Sequence, residues 1–403
     1  MTPLHHSRYF GIWLALALAG LLVVAVFNLL VDPIGAFPTL HIGSLEPYRP
    51  RVDNRPAKAE LAHRSGWEII AIGSSRVLSG LPANYPLFRT NRTVNLAMTA
   101  PVLPELATAL RTVRANNGKP PRLIILGLDF YMFSDGPDHI LDFMETRFNP
   151  DLDRFDYYAK RLVGLNTTED SITVVKNRLR GRALDPQDRN GFIMHHFGGG
   201  FSHRPVFDQT MRTFAPGYRS MPYATSNRLE VLRQIIAECR EQNIELKLII
   251  MPVHALETEL LHACGKGASF EDFKRALVKF LAEQGLEGKV PLLDATGYAG
   301  PVAEDVPPAG VQGLTMKYFV ENSHATPVLG EMVLNKLFSV GGTNQFGVFI
   351  STTNLEEHLQ QQRQDRAAYL RAHPDDGQWP HRIADSLPPL KSRATTNAPA
   401  KGP

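Results

Sequence analysis

The stretch Trp67–Gly80, WEIIAIGSSRVLSG, decides the fold. Residues 68–72 are predicted as a buried strand, because an apolar run ends there at a turn signal. The letters GSSR follow at 73–76, at the edge where open α/β sheets place their ligands. Ser75 is therefore a candidate nucleophile, although a turn or a helix cap explains the same residues on spacing alone.

Further strands and helices follow at regular spacing after this stretch. Short strand, helix, strand repeats are typical of a parallel sheet with crossover helices. The sequence therefore predicts an α/β fold with a single doubly wound parallel sheet, in one domain over residues 67–340. The other predicted strands are 93–98, 122–129, 245–251 and 290–294, and the main predicted helices are 103–116, 227–242, 270–284 and 327–338.

Four segments outside the predicted sheet have their own character. Residues 32–66 are Pro-rich and are interpreted as a stalk on the domain surface, with a short helix at 55–64. Residues 130–223 are interpreted as an insertion with a helix at 171–182, either a lid or cleft wall or a surface excursion with its own core. Residues 341–384 are a polar helical region, with its helix at 355–372, and residues 385–403 are predicted to be disordered.

The N-terminus contains an apolar segment over residues 10–31 with no charged side chain. About 20 such residues span a bilayer, so the segment is predicted as a transmembrane signal anchor. Histidines and an arginine precede it and Asp32 follows it, which places residues 1–9 in the cytoplasm and the main domain outside. A cleaved signal peptide and a buried core helix are the alternatives.

Composition excludes several classes of protein. The chain has 403 residues, 21% of them charged, and a net charge of +3, which argues against nucleic acid as a partner. Two cysteines, Cys239 and Cys264, exclude a disulfide-rich scaffold and leave their pairing open. The pair His195-His196 lacks a Glu at helical spacing and precedes a glycine run, so neither a metal site nor a cofactor is predicted.

A serine nucleophile needs a base, and a histidine base needs a carboxylate to orient it. His324 lies in a turn before the last predicted helix, and Glu321 stands three residues earlier. The same residues are also typical of the N-terminal cap of that helix. Ser75, His324 and Glu321 are nevertheless the best catalytic set that the sequence offers.

Four short blocks, at residues 73–75, 95–97, 127–129 and 321–324, resemble those of the SGNH (GDSL-like) hydrolase superfamily, in the family order. The resemblance implies a flavodoxin-like three-layer sandwich in which Ser75 is the nucleophile. It further implies His324 as base, Glu321 as orienting acid, and an oxyanion held by the N–H groups of Ser75 and Ala97, with Asn95 beside them.

The N-terminal anchor followed by GSSR is similar to the membrane-anchored bacterial branch of that superfamily, which acylates or deacylates cell-envelope polymers. The resemblance implies a serine esterase or O-acyltransferase in the bacterial inner membrane, with its main domain in the periplasm. It also implies a glycan substrate and a membrane partner that delivers acyl groups. A non-catalytic scaffolding member of the same fold and an unrelated α/β receptor are the competing hypotheses.

The sequence departs from the family pattern at Ser74, Ala97, Asp129 and Glu321, of which Asp129 is the most serious departure. Asp129 stands where Asn is usual, and an ionised carboxylate repels an oxyanion. Asp129 is therefore either protonated or holds another residue such as His324 or Arg76. Arg76 is expected either to bind an anionic substrate group or to pair with a carboxylate of the site.

Overall fold

A computed structural model describes residues 3–50, 54–140, 142–184, 188–193, 202–223, 226–310 and 314–389. Its centre is a sheet of six strands in the order β2-β1-β3-β4-β5-β6, which confirms the α/β fold class. The strands are β1 Ile69–Ile72, β2 Thr93–Asn95, β3 Leu123–Leu128, β4 Glu245–Ile250, β5 Leu292–Asp294 and β6 Val348–Phe349.

The sheet is mixed, so the prediction of a wholly parallel sheet is wrong. Strands β1 to β5 pair in parallel, whereas β6 pairs with β5 in the antiparallel direction. The chain before β6 folds back along the preceding helix, where the Phe346 N–H donates to the Met332 carbonyl. It enters the sheet opposite Asp294, at the carboxyl end of β5, and therefore runs against β5. The sheet thus extends beyond residue 340.

Fourteen helices are formed by the described parts of the chain, besides short 3-10 turns. They are α1 Pro3–Val31, α2 Arg55–Ala62, α3 Ser75–Gly80, α4 Pro86–Arg89, α5 Leu103–Asn116, α6 Arg154–Val163, α7 Leu165–Leu179, α8 His203–Ser220, α9 Ser226–Glu241, α10 Ala255–Ala263, α11 Gly267–Glu283, α12 Pro327–Leu337, α13 Leu355–Ala372 and α14 Pro374–Asp385.

Helix α2 belongs to the core, and residues 55–62 are not a stalk on the surface. Seven of its eight residues are buried, three of them charged. Lys58 is fully buried, and its Nζ donates to the carbonyls of Asn95 and Gly191 at 2.7 Å each. The buried Arg55 pairs with Glu105 on α5 at 3.0 Å. These contacts fasten the chain that follows α1 to the sheet.

The insertion is mostly helical and contacts two different parts of the molecule. Helices α6 and α7 pack against α1, whereas α8 packs against α10 and α14. Helix α8 also contacts the segment before α12, because His203 Nε2 accepts the Met316 N–H at 2.9 Å. Asp385 is the last residue of α14 rather than part of a disordered tail, and residues 390–403 lie outside the described ranges.

Within α1, Tyr9–Val31 is long and apolar enough to cross a membrane, and its mean hydropathy reaches 2.8. No other described helix has this character. Only 11% of its most apolar window is buried, whereas a core helix of a soluble protein is mostly buried. The N-terminal apolar helix that the sequence predicts is therefore present, and most of its surface is not covered by the rest of the chain.

Candidate functional site

Ser75 lies at the carboxyl end of β1, as the first residue of α3. The Ser74 hydroxyl caps this helix by accepting the Arg76 N–H at 3.1 Å. Ser74 is buried and Ser75 is half-buried, so the second serine of the pair is the one that reaches the surface. The capping role that the sequence left open thus belongs to Ser74, and Ser75 is available for chemistry.

Three side chains form a continuous hydrogen-bonded row at this position. Ser75 Oγ lies 2.8 Å from His324 Nε2. His324 Nδ1 bonds to Glu321 Oε1, and Glu321 Oε2 accepts the Ser323 N–H at 2.8 Å. The turn at 321–324 therefore holds its carboxylate by its own backbone. The structure brings Ser75, His324 and Glu321 together in the order that a nucleophile, a base and an orienting acid require.

Glu321 is built to stay ionised although it is almost fully buried. Burial alone would raise the pKa of its carboxyl group. The neighbouring His324 ring and the Ser323 N–H outweigh burial and hold the pKa of Glu321 below its ordinary value. A permanent negative charge behind His324 favours the imidazolium that forms when the ring takes a proton.

Close packing of glycines brings the two halves of this row together. A Cβ at Gly73 or Gly127 would clash with Val77 on α3, so both glycines let α3 lie close to β1 and β3. A Cβ at Gly330 on α12 would overlap the Gly80 carbonyl at the end of α3. The helix that follows the serine and the helix that follows the histidine therefore approach each other at the backbone.

Arg76 points away from the row and into a buried group of charges. Its guanidinium donates to Asp129 Oδ1 at 2.6 Å and to Glu257 Oε1 at 3.0 Å. It also donates to Tyr218 OH at 3.2 Å and to Ser323 Oγ at 3.1 Å. Burial disfavours the charge, but these partners outweigh it and raise the pKa of Arg76 well above its ordinary value. Arg76 thus pairs with Asp129 instead of facing the surface.

Glu257 and Tyr218 complete the buried group and were missed in the sequence. The Tyr218 hydroxyl and the Asn322 amide both donate to the Glu257 carboxyl group. Burial raises the pKa of Glu257 despite its pairing with Arg76. A signal for Glu257 exists, because it lies in the segment ALETELLHA, which is separated from the end of strand β4 by four residues. Tyr218 lies in the irregular insertion and gives no such signal.

The oxyanion side of the site differs from the expectation. The Ala97 N–H donates to Asn95 Oδ1 at 3.0 Å, so it is already paired. The Asn95 amide in turn donates to the Val77 carbonyl at 3.3 Å, which makes Asn95 a brace between β2 and α3. Asn side chains commonly bond to the backbone two residues on, which explains the difference. In the described ranges, the Ser75 N–H has no hydrogen-bond acceptor.

No group of three or more His, Cys, Asp or Glu side chains among the described residues is arranged to hold a metal ion. The pair His195-His196 lies outside those residues. Cys239 and Cys264 are both buried and free.

No protein-family model matches this chain, and a search of curated proteins finds no match either. The function is therefore argued from the geometry of the site.

Proposed function

We propose that this chain is a serine acyl esterase or O-acyltransferase that works through an acyl-Ser75 intermediate. The observation that carries the proposal is the hydrogen-bonded row of Ser75, His324 and Glu321. A half-buried serine hydroxyl at 2.8 Å from an imidazole, which is itself held by a buried carboxylate, is the arrangement that activates a serine. Ordinary surface serines have no such partner.

In the first half of the reaction, Ser75 Oγ attacks the carbonyl carbon of an ester while His324 Nε2 takes the hydroxyl proton. Glu321 accepts the hydrogen bond from His324 Nδ1–H and stabilises the imidazolium. The Ser75 N–H donates to the negative oxygen that forms on the carbonyl carbon. His324 then returns the proton to the leaving alkoxide as the ester bond breaks, which leaves the acyl group on Ser75.

In the second half, a hydroxyl group attacks the acyl-Ser75 ester, with His324 again taking and returning a proton. Water as the acceptor gives hydrolysis, and a sugar hydroxyl gives acyl transfer. Transfer to a polysaccharide of the cell envelope is favoured, since a membrane-tethered enzyme suits a partner that delivers acyl groups through the membrane.

The proposal includes a family and a location. Five parallel strands in the order β2-β1-β3-β4-β5 support a doubly wound sheet of the SGNH type, with β6 as an additional edge strand. Ser75 follows β1, the first strand in the sequence. Asp129, which departs from that family's pattern, serves to hold Arg76. The apolar α1 supports a single-pass anchor in the bacterial inner membrane, with the N-terminus inside and the α/β domain in the periplasm.

A second candidate is a non-catalytic SGNH-like protein that binds or assembles partners in polymer modification. The pairing of the Ala97 N–H with Asn95 favours this non-catalytic candidate. Because Ala97 is already paired, the Ser75 N–H would have to stabilise the oxyanion without it. Loss of one oxyanion donor costs about 10²–10³-fold in rate. This cost slows an enzyme without abolishing its acyl-serine chemistry.

A fluorophosphonate probe separates the two candidates, because it labels only activated serines. The full chain in detergent is treated beside Ser75→Ala and His324→Ala, and the labelled residue is found by mass spectrometry. An enzyme is expected to be labelled on Ser75, with labelling lost in both variants. Labelling that is absent from the wild type, with and without bacterial membranes added to supply a partner, contradicts the enzyme and supports the binding protein.

A further inference from the structure

Helices α6 and α7 carry an apolar surface that no described part of the chain covers. Leu165, Ile172 and Leu179 recur every seven residues along α7, so they lie on one face of it. Leu165 and Leu179 are each 82% exposed, and Phe155 on α6 is 85% exposed. Single exposed apolar residues are ordinary, but a stripe along a whole helix points to a partner.

The position of this stripe relative to α1 indicates that its partner is the lipid bilayer. The buried Asn28, three residues before the end of the apolar span, donates to the Leu162 carbonyl at 2.8 Å and to Thr168 Oγ1 at 2.9 Å. Both acceptors flank the turn that joins α6 to α7. If α1 crosses a membrane up to Val31, this turn lies at the depth of the last turn of the span.

The far end of α7 is also held near the membrane end of α1. The Asn177 amide donates to the Tyr48 carbonyl at 3.2 Å. Tyr48 ends the 3-10 turn Gly43–Tyr48, and Ile42, just before that turn, donates its N–H to the Leu30 carbonyl at 2.7 Å. Both ends of α7 are therefore hydrogen-bonded either to the last turns of α1 or to a segment that is itself bonded to them.

The charge of the same segment fits an anionic lipid surface. Residues 154–182 contain seven Lys or Arg and three Asp or Glu, a net charge of +4, whereas the whole chain has +3. Basic residues near an anionic bilayer are attracted to its negatively charged surface. Apolar residues with cations around them on a short amphipathic helix are the features that place a helix in a membrane interface.

We propose that the α6–α7 turn and the outer face of α7 rest in the headgroup region of the bilayer, as a second membrane contact beside α1. Leu165, Ile172 and Leu179 enter the acyl boundary, and the basic residues of 154–182 face lipid phosphates. This inference rests on the membrane anchor in the proposed function, and it adds that the α/β domain is held at two points and cannot rotate freely about its anchor.

The test places an environment-sensitive fluorophore on single introduced cysteines of the full chain in vesicles of zwitterionic and anionic phospholipid. The positions are Leu165→Cys and Leu179→Cys, with Leu18→Cys inside α1 and Val340→Cys as an exposed apolar site after α12. Labelling is selective, because burial raises the pKa of Cys239 to about 12 and that of Cys264 to about 11. The chain without introduced cysteines gives the background.

The expected result is a blue-shifted emission at Leu165 and Leu179 that is quenched by lipids with a nitroxide near the headgroup. A fluorophore at position 18 should be quenched by nitroxides deep in the acyl chains. A fluorophore at position 340 should be quenched neither by these nor by nitroxides near the headgroup. If the fluorophore at position 18 is quenched by lipid nitroxides while those at 165 and 179 are exposed to water, the inference is wrong and the membrane anchor is supported. A water-exposed Leu18 overturns the anchor itself. A blue shift at Leu165 without lipid quenching shows a protein on this face, such as a second copy, and also overturns the inference.

Discussion

Ser75 and Arg76 are neighbours in the chain, yet their side chains belong to two regions of opposite character. Ser75 joins His324 and Glu321 in a row that reaches the surface. Arg76 joins Asp129, Glu257 and Tyr218 in a group that is buried. We call these the serine row and the arginine group.

Both regions depend on the turn at 321–324. Ser323 Oγ accepts from Arg76, while His324 accepts from Ser75. Asn322 also donates to Glu257. The comparison indicates a division of labour, in which the arginine group fixes the turn from behind so that the serine row is held in position for chemistry. Changes in the serine row should therefore affect reactivity alone, and changes in the arginine group should affect stability first.

The largest expected effect is on reactivity and follows from Glu321→Gln. A neutral amide no longer stabilises the imidazolium and permits the wrong tautomer of His324, so the rate of fluorophosphonate labelling should fall about 10³–10⁴-fold. The midpoint of thermal unfolding of the full chain in detergent gives the stability control, and it should stay close to that of the wild type. Labelling at the wild-type rate would show that Glu321 does not orient His324.

The next largest effect is on stability and follows from Arg76→Met. The substitution leaves the buried carboxyl groups of Asp129 and Glu257 without their cation. Breaking a buried pair in this way costs about 3–5 kcal/mol of the free energy of unfolding. Denaturant unfolding of the full chain measures the loss.

Ser75→Ala is the matched control for Arg76→Met, since it changes the adjacent residue in the serine row. It should change the free energy of unfolding by less than about 0.5 kcal/mol. Equal stability of the two variants would contradict the division between the two regions, because it would give Arg76 no structural role.

A pH effect is expected from His254, whose backbone N–H donates to the Asn322 carbonyl of the turn at 321–324 at 2.9 Å. His254 is fully buried and bonded to the Glu304 carbonyl, and burial lowers its pKa to about 4 from an ordinary value of 6.5. The unfolded chain therefore binds a proton between these two values that the folded chain does not. Stability is expected to fall by about 3 kcal/mol from this residue as the pH drops from 7 to 4.

His254→Asn gives the control for this pH effect. In the wild type, His254 Nδ1 accepts a hydrogen bond from the Leu256 N–H. The Asn side chain can accept the same hydrogen bond, but it does not titrate. The thermal unfolding midpoint, measured from pH 7 to pH 4, should fall less in the variant than in the wild type. Parallel curves for the two proteins would show that His254 does not bear the predicted shift.

The sequence predicts the serine row better than the arginine group for a physical reason. Ser75, Glu321 and His324 stand in short local patterns at the ends of predicted elements, and strand order alone brings such ends to one edge. The arginine group needs Tyr218, which lies 142 positions from Arg76 in an insertion without periodicity. Contacts at that separation depend on how the insertion folds, and local patterns do not encode it.

The same reasoning explains which parts of the fold were predicted. The apolar runs of β1 and β3, and the spacing that follows them, predict the parallel strands. Strand β6 has two residues and no pattern, so its antiparallel pairing could not be read from the sequence. The prolines around helix α2 predict a stalk on the surface, whereas the buried Lys58 bonds the helix to the last residue of β2. From the sequence alone, a lysine in a short helix is expected to face solvent, because the backbone carbonyls that bind Lys58 come from distant segments.

The smallest expected effect concerns the residue that the two regions share, and follows from Ser323→Ala. The substitution removes the acceptor for Arg76 Nε and leaves the backbone N–H that bonds Glu321. Loss of one buried hydrogen bond to a charged group should cost about 1.5–3 kcal/mol in the free energy of unfolding. Labelling of Ser75 should keep its wild-type rate.

The matched control is Ser79→Ala, one turn further along α3, which removes an equal hydroxyl that donates to the Ser75 carbonyl at 2.8 Å. Its partner is neutral, so its loss should cost about 1 kcal/mol or less. A labelling rate that falls in Ser323→Ala but not in Ser79→Ala would show that the hydroxyl transmits the position of Arg76 to the serine row. The turn at 321–324 would then couple the two regions through a side chain, and the division between stability and reactivity would fail at that residue.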